Sequence, residues 1–204
     1  PLYESTTALQ LERLAPDHKN KFRLTTSTGA SIDCDHVVLC AGAHTMASPG
    51  LSRKLSRAMV PLFTWMIATE PLGEACPISA DHPYLMGGDD FVALNYWRRT
   101  PEGRLLFGSL ADAYPVPAWL AERRLRKALS TVYPQLSNVK FDCLWGGSVA
   151  VAQNAAPLIG RDVTFDTDNN DNPSSTTTEG GVWYVTGFGG HGIVPTCMGG
   201  QVIA

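Results

Sequence analysis

The sequence predicts an α/β fold with α+β character, in which a mostly antiparallel block interrupts a layer of strands and helices. Three observations predict it. Residues 37–40 are a short unbroken apolar run ending in Ala41-Gly42-Ala43, the profile of a buried strand whose end comes close to something. Residues 182–186 are a second apolar run, followed by glycines and an apolar segment from Ile193 that reads as a helix. Between the two lie hairpin signals and one amphipathic helix, so the first and last segments are expected to belong together.

Taken in order, residues 2–14 and 21–26 alternate apolar and polar around the polar loop PDHKNK, which predicts a hairpin. STGASIDCD then turns the chain into the strand at 37–40. SPGLSRKLSR reads as a basic loop. Residues 60–72, VPLFTWMIATEPL, are β-branched and aromatic and close on Pro71, which predicts a long strand. Residues 73–90 are rich in Gly, Pro and Asp and carry no periodicity. FVALNYWRR, the turn TPEG and RLLFGS form a second hairpin. In PAWLAERRLRKALSTVYPQL, Trp119, Leu120, Leu125, Leu129 and Val132 recur near helical spacing until Pro134 ends the helix. VKFDCLWGGSVAV returns to strand, and NAAPLIGR is a turn into another. Residues 162–181 are almost wholly polar and are expected to be an exposed, mobile insertion.

The chain has 204 residues, 44% hydrophobic and 17% charged, which is ordinary globular composition. A net charge of -3 argues against nucleic acid or an anionic membrane as the main partner. The five cysteines are scattered, with no C-x-x-C pair, so neither a metal site nor a disulfide framework is expected. A reducing compartment follows, cytoplasmic or peroxisomal. No apolar stretch reaches the roughly 20 residues that a membrane span needs, and the first residues lack the features of a signal peptide. Pro1 leads at once into strand-like sequence and Ala204 stops inside a young helix, so the chain is expected to be a piece of a larger protein.

Within VWYVTGFGGHGIVPTCMGG, Gly187, Gly189 and Gly192 fit the spacing G-x-G-x-x-G. A strand, a glycine turn and a helix would aim backbone N–H groups and a helix dipole at one spot, favouring an anion, a phosphate or an electron-rich ring. A dinucleotide fingerprint also needs a second strand and an acidic residue about 20 positions on, and the chain ends first. Glycines serving only a tight turn and close helix packing are the bland alternative. A P-loop is excluded for want of its Gly-Lys-Ser/Thr ending.

ASIDCDHVVLCAGAHT, MIATEPL, YWRRTPEGRLLFGS, LWGGSVAVAQNAAPLIGR and GVWYVTGFGGHGIVPTCMGG, in this order, resemble successive signatures of the FAD-dependent amine and amino-acid oxidoreductases of the D-amino-acid oxidase and glycine oxidase type. MIATEPL, TPEGRLLFG and WGG with PLIGR look most like the branch that includes γ-glutamylputrescine oxidases. The resemblance implies a fragment of a two-domain enzyme whose N-terminal dinucleotide fingerprint is absent. Residues 1–57 and 161–204 would belong to the FAD domain and 58–160 to the substrate domain. FAD would contact Ala41, Gly42, Ala43 and His44 at one corner, and Gly187, Gly189, Gly190, His191, Gly192 and Ile193 at the other, with amides from Gly189 to Gly192 facing the flavin. Thr7 and Ala8 would approach the adenine.

The reaction so implied moves a hydride from the carbon beside an amine nitrogen to flavin N5, leaving an imine, with oxygen or another compound as final electron acceptor. No catalytic side chain is fixed; His44 and His191 are the candidates. Tyr96, Trp145 and Val149 fall where relatives hold substrate. Val149 stands where amino-acid oxidising relatives carry a carboxylate-gripping arginine, which favours a small-molecule amine. Arg98 and Arg99 could replace that clamp, and Trp65, Trp97 and Trp145 could wall a pocket or simply pack. Two other readings compete: a non-catalytic remnant or binding module that cannot hold FAD, and a nicotinamide dehydrogenase beginning at Gly187.

Overall fold

The computed structural model describes residues 1–15, 17–81, 95–166 and 180–204. Their contacts divide into two compact units, Pro1–Pro61 with Val149–Ala204, and Leu62–Ser148.

In the first unit, β1 (Ala8–Arg13), β2 (Phe22–Thr26) and β3 (Ser31–Cys34) form an antiparallel meander. The expected hairpin is there, and residues 31–34 add a third strand to it. Gly29, at φ +80°, makes the turn that returns the chain onto β2. β4 (His36–Leu39) pairs in parallel with β10 (Gly181–Thr186), and β9 (Leu158–Arg161) pairs antiparallel on the far side of β10. Period 2 puts Leu39 and Val182 on one face, where they are buried with Leu11, Phe22, Leu51, Leu55, Met59 and Ala150. On the other face lies α4 (Ile193–Ile203), so close that a Cβ on Gly199 would stand 2.8 Å from Val185 Cγ1.

The stretch read as a basic loop contains a helix, α2 (Arg53–Ala58). Its start is fixed by Ser52, whose Oγ accepts from the Leu55 amide at 3.2 Å, and its burial by Leu51 and Leu55. The same Ser52 hydroxyl donates to Asp162 Oδ2 at 2.6 Å. Asp162 is fully buried, and Oδ1 accepts from the Thr164 amide and hydroxyl, so the carboxylate is satisfied where water cannot reach it. The polar stretch expected from residue 162 therefore starts later: residues 162–166 are folded, and Gly181 opens β10. Residues 167–179 of the expected insertion lie outside the described residues.

In the second unit, β6 (Tyr96–Arg99), β7 (Leu105–Asp112), β5 (Met59–Thr69) and β8 (Phe141–Ala152) form one sheet in the order β6-β7-β5-β8. The two unit boundaries fall inside β5 and β8, at 61/62 and 148/149, where the sequence suggested 57/58 and 160/161. The shift has a physical cause: Ala150 joins the first unit's core and β9 pairs with β10. The hairpin between β6 and β7 is as expected from Tyr96 onward; residues 91–94 and 82–90 lie outside the described residues.

The helix α3 (Ala118–Val132) packs on this sheet through Ala121, Leu125 and Leu129, spaced i, i+4, i+8. Leu125 and Leu129 meet Ile67, Leu105 and Phe107, and each such side chain is worth about 1.5–3 kcal/mol when removed from water. Trp119, expected on the inner face, is 66% exposed, because the first turn of α3 carries it to the other side.

Ser52→Ala removes a helix cap and a donor to a buried carboxylate together, and is expected to cost about 2 kcal/mol. The check is a lower urea midpoint with an unchanged slope.

Candidate functional site

The parallel register aligns Leu39 with Tyr184, so the chain leaves β4 and β10 at the same end of the sheet. One exit is the corner Ala41-Gly42-Ala43-His44, the other the glycine turn from Gly187. Such strand ends are where open α/β sheets hold ligands.

At the first corner, the amides of His44, Thr45 and Met46 donate to the carbonyls of Ala41, Gly42 and Ala43, forming a tight helical turn, α1 (His44–Ala47). Gly42 has φ +54° and a Cβ there would meet nothing within 4 Å, so it is glycine for backbone reasons and leaves open space. Beside the exposed His44, Thr45 is buried and its hydroxyl has no hydrogen-bond partner among the described residues.

At the second corner each glycine has its own task. Gly187 (φ +75°) is buried against Met59, Ala152 and Leu158, so it serves packing. Gly189 and Gly190, at φ +59° and +87°, are the central residues of a turn closed by the His191 amide on Phe188 O at 3.0 Å. Positive φ at both positions is the pattern of a type I′ turn, which glycine adopts without strain. The turn is pinned by the Gly189 amide on Ala150 O at 2.8 Å and by the antiparallel bridge Val151–Phe188. Gly192 caps α4 with its backbone, its Cα facing Phe188 and Thr196.

The expected row of amides from Gly189 to Gly192 is thereby corrected: those of Gly189 and His191 are spent inside the turn. Among the described residues, the amides of Gly190, Gly192, Ile193 and Val194 make no main-chain hydrogen bond. Val194 is an addition that helix-end reasoning could have supplied, since the first amides of any helix lack internal acceptors. Pro195, next in line, has none to waste. The dipole of α4 adds partial positive charge at the same place. Residues 40–52, 149–160 and 181–204 contain no Asp, Glu, Lys or Arg side chain, so no formal charge opposes an anionic or electron-rich edge there.

Thr7 and Ala8 lie on the meander instead. The Thr7 amide donates to Ser27 Oγ, its carbonyl accepts from the Ser27 amide, and Ala8 pairs with Thr26. The Thr7 amide is thus engaged, and its carbonyl keeps one acceptor site.

In the second unit, Tyr96 and Trp97 take opposite faces of their strand, as expected. Trp97 stacks on Phe107 at 5.8 Å and meets Tyr133 edge-on, so it belongs to the core, as does Trp65. Tyr96 crosses Gly108, where a Cβ would stand 2.1 Å from its ring, and burial holds its phenol above the usual range, partly offset by a hydrogen bond with Thr64. Arg99 is spent on Ile78 O at 3.0 Å, whereas Arg98 is exposed two residues from Tyr96 on the same face. Trp145 is 42% exposed, and Val149 is half-buried further along β8, in the first unit. Among the described residues no group of His, Cys, Asp and Glu could hold a metal ion, and no helix is long and apolar enough to cross a membrane.

The model of the FAD dependent oxidoreductase family matches residues 2–204. A probable oxidoreductase OrdL of Haemophilus influenzae is 29% identical over 88% of this chain and 37% of its own length. The gamma-glutamylputrescine oxidoreductase of Escherichia coli is 24% identical over 100% of this chain and 42% of its own. Glycine oxidase from Geobacillus kaustophilus superposes with a TM-score of 0.69 at 17% identity, covering 100% of this chain and 48% of that one, and shows the fold. The chain thus spans less than half the length of these relatives. The first unit fits the electron-rich half of a flavin in three respects: unspent amides at the start of α4, the open glycine corner at Gly42, and the unpartnered Thr45 hydroxyl.

In an alkaline spectrophotometric titration, Tyr96→Phe is expected to remove a phenolate component that ionises above the ordinary pH 10.0. Gly108→Ala, which drives the Tyr96 ring out of its place, is expected to move that component to lower pH, because the ring regains water.

Proposed function

Because this chain belongs to the FAD dependent oxidoreductase family, we propose that it is part of an enzyme that oxidises the C–N bond of a small amine. FAD, when bound, would supply the oxidising power for removing a hydride from the carbon beside the nitrogen to leave an imine, with oxygen or another compound as the final electron acceptor. The observation that carries this reading is the parallel β4–β10 pair, whose shared end bears both the Ala41–Gly42–Ala43–His44 corner and the turn from Gly187 to Ile193.

The amides of Gly190, Gly192, Ile193 and Val194 would donate to the electron-rich edge of the isoalloxazine, helped by the α4 dipole. Ala41, Gly42, Ala43 and His44 would line its other side. Thr7 and Ala8 on the meander would approach the adenine. His44 and His191 are the titratable imidazoles at this end and the candidates for handling a proton.

The second unit supplies substrate contacts in this assignment, with Tyr96, Arg98 and Trp145 on one strand face or rim. An arginine clamp is lacking at Val149 and Arg99 is occupied, which favours an amine over a free α-amino acid. The five free thiols suit a reducing compartment such as the cytoplasm or peroxisome.

We place the dinucleotide-binding half in the portion of the relatives that this chain does not match. Two features support it. The α4 face bearing Ile193, Val194, Met198 and Val202 is 90%, 75%, 64% and 73% exposed at those residues, and a helix apolar all round is normally buried. Among the described residues β4 has a neighbour on one side only. The short span equally motivates the reading as a non-catalytic module, and one experiment separates the two.

The complete reading frame, purified, is expected to show flavin absorption bands that bleach when a primary amine is added without air. A colourless protein that takes up no FAD establishes the module instead. Val149→Arg is expected to shift the kcat/KM ratio toward α-amino acids at least about tenfold, the order of one good charge-assisted contact. An unchanged ratio defeats the amine assignment.

A further inference from the structure

His191 Nδ1 lies 3.2 Å from Gly189 O. A carbonyl cannot donate, so this contact is a hydrogen bond in the Nδ1–H tautomer, in which Nε2 is the acceptor of the neutral ring. The bond closes the turn a second time: the main chain closes it from the His191 amide to Phe188 O, and the side chain ties the same residue to the carbonyl of Gly189. With the amides of Gly189 and His191 engaged, the free amides at Gly190 and Gly192 sit between fixed points of the turn, and the Thr196 hydroxyl donates to the Gly192 carbonyl at 2.6 Å.

We propose that His191 is a positioning residue: its Nδ1–H clamps the Gly189 carbonyl, fixes the glycine turn that presents the free amides, and leaves Nε2 as the single side-chain acceptor of the turn. The flavin role of those amides rests on the reading above; the clamp does not. Competitors for the Nδ1 proton are lacking in the neighbouring segments. Residues 149–160 and 181–204 carry no acidic side chain, and the titratable side chains there are Tyr184 and Cys197, with Cys40 and His44 at the adjoining corner.

The test uses the complete reading frame and three variants at His191. Asparagine places an amide N–H near the Nδ1 position and can keep the clamp; glutamine reaches further, toward Nε2, and alanine has neither group. Two-bond proton–nitrogen NMR on the neutral imidazole is expected to show the Nδ1–H tautomer. Hydrogen exchange at the Gly189 and His191 amides is expected to quicken at least about tenfold in His191→Ala and His191→Gln, and to stay near wild type in His191→Asn. FAD affinity should follow the same order. An Nε2–H tautomer, or exchange in His191→Ala equal to wild type, overturns the proposal. A complete protein that shows the clamp and binds no FAD leaves the positioning role standing and counts against the flavin reading.

Discussion

The site depends on the pairing of β4 with β10. Parallel strands leave a sheet at the same end, so two segments more than 140 positions apart in the sequence deliver their turns to one place. Antiparallel pairing, or a slip of one residue, would send Val182 and Leu39 to the wrong face and forfeit the core they share with Phe22 and Leu55. The apolar pattern thus fixes the register, and the register positions the backbone donors. Ser52 and Asp162 make the same connection from below, tying α2 to the entrance of the segment that leads on to β10.

Much of this was legible in the residues. The apolar runs before Ala41 and Gly187, the hairpins and the helix from Ala118 all form, because period and turn chemistry agree with the tertiary environment there. The misreadings have one cause. SPGLSRKLSR looks like a loop because four of its ten residues are basic or Pro and its apolar positions are only two; the helix exists through one cap and the burial of Leu51 and Leu55, which sequence pattern does not display. Asp162 likewise reads as the start of a solvated stretch, and its partner Ser52 stands 110 positions away.

In the glycine loop the spacing hides which backbone groups are already in use. Its spacing matches a dinucleotide fingerprint, yet Gly187 is there for packing, Gly189 and Gly190 for a left-handed turn, and Gly192 for a helix start. Counting which N–H groups already have acceptors removes Gly189 and His191 from the donor row and adds Val194. Only the three-dimensional accounting of main-chain partners can do this, since every residue type but proline carries the same donor.

A ligand held at this end of the sheet, as proposed, would meet no formal charge from residues 40–52, 149–160 and 181–204. Fixed ions would impose one charge state on whatever is held, whereas amide dipoles and a helix end supply partial positive charge that costs little to leave unpaired in water. A ligand edge that changes charge as it gains electrons is then stabilised in the richer state without being locked out in the poorer one. In the proposed clamp the Nδ1–H of His191 is engaged by the Gly189 carbonyl, and Nε2 is the ring's remaining hydrogen-bonding atom. Backbone geometry, held by glycine and one histidine ring, therefore sets the electrostatics that acidic and basic side chains would set in a more conventional pocket.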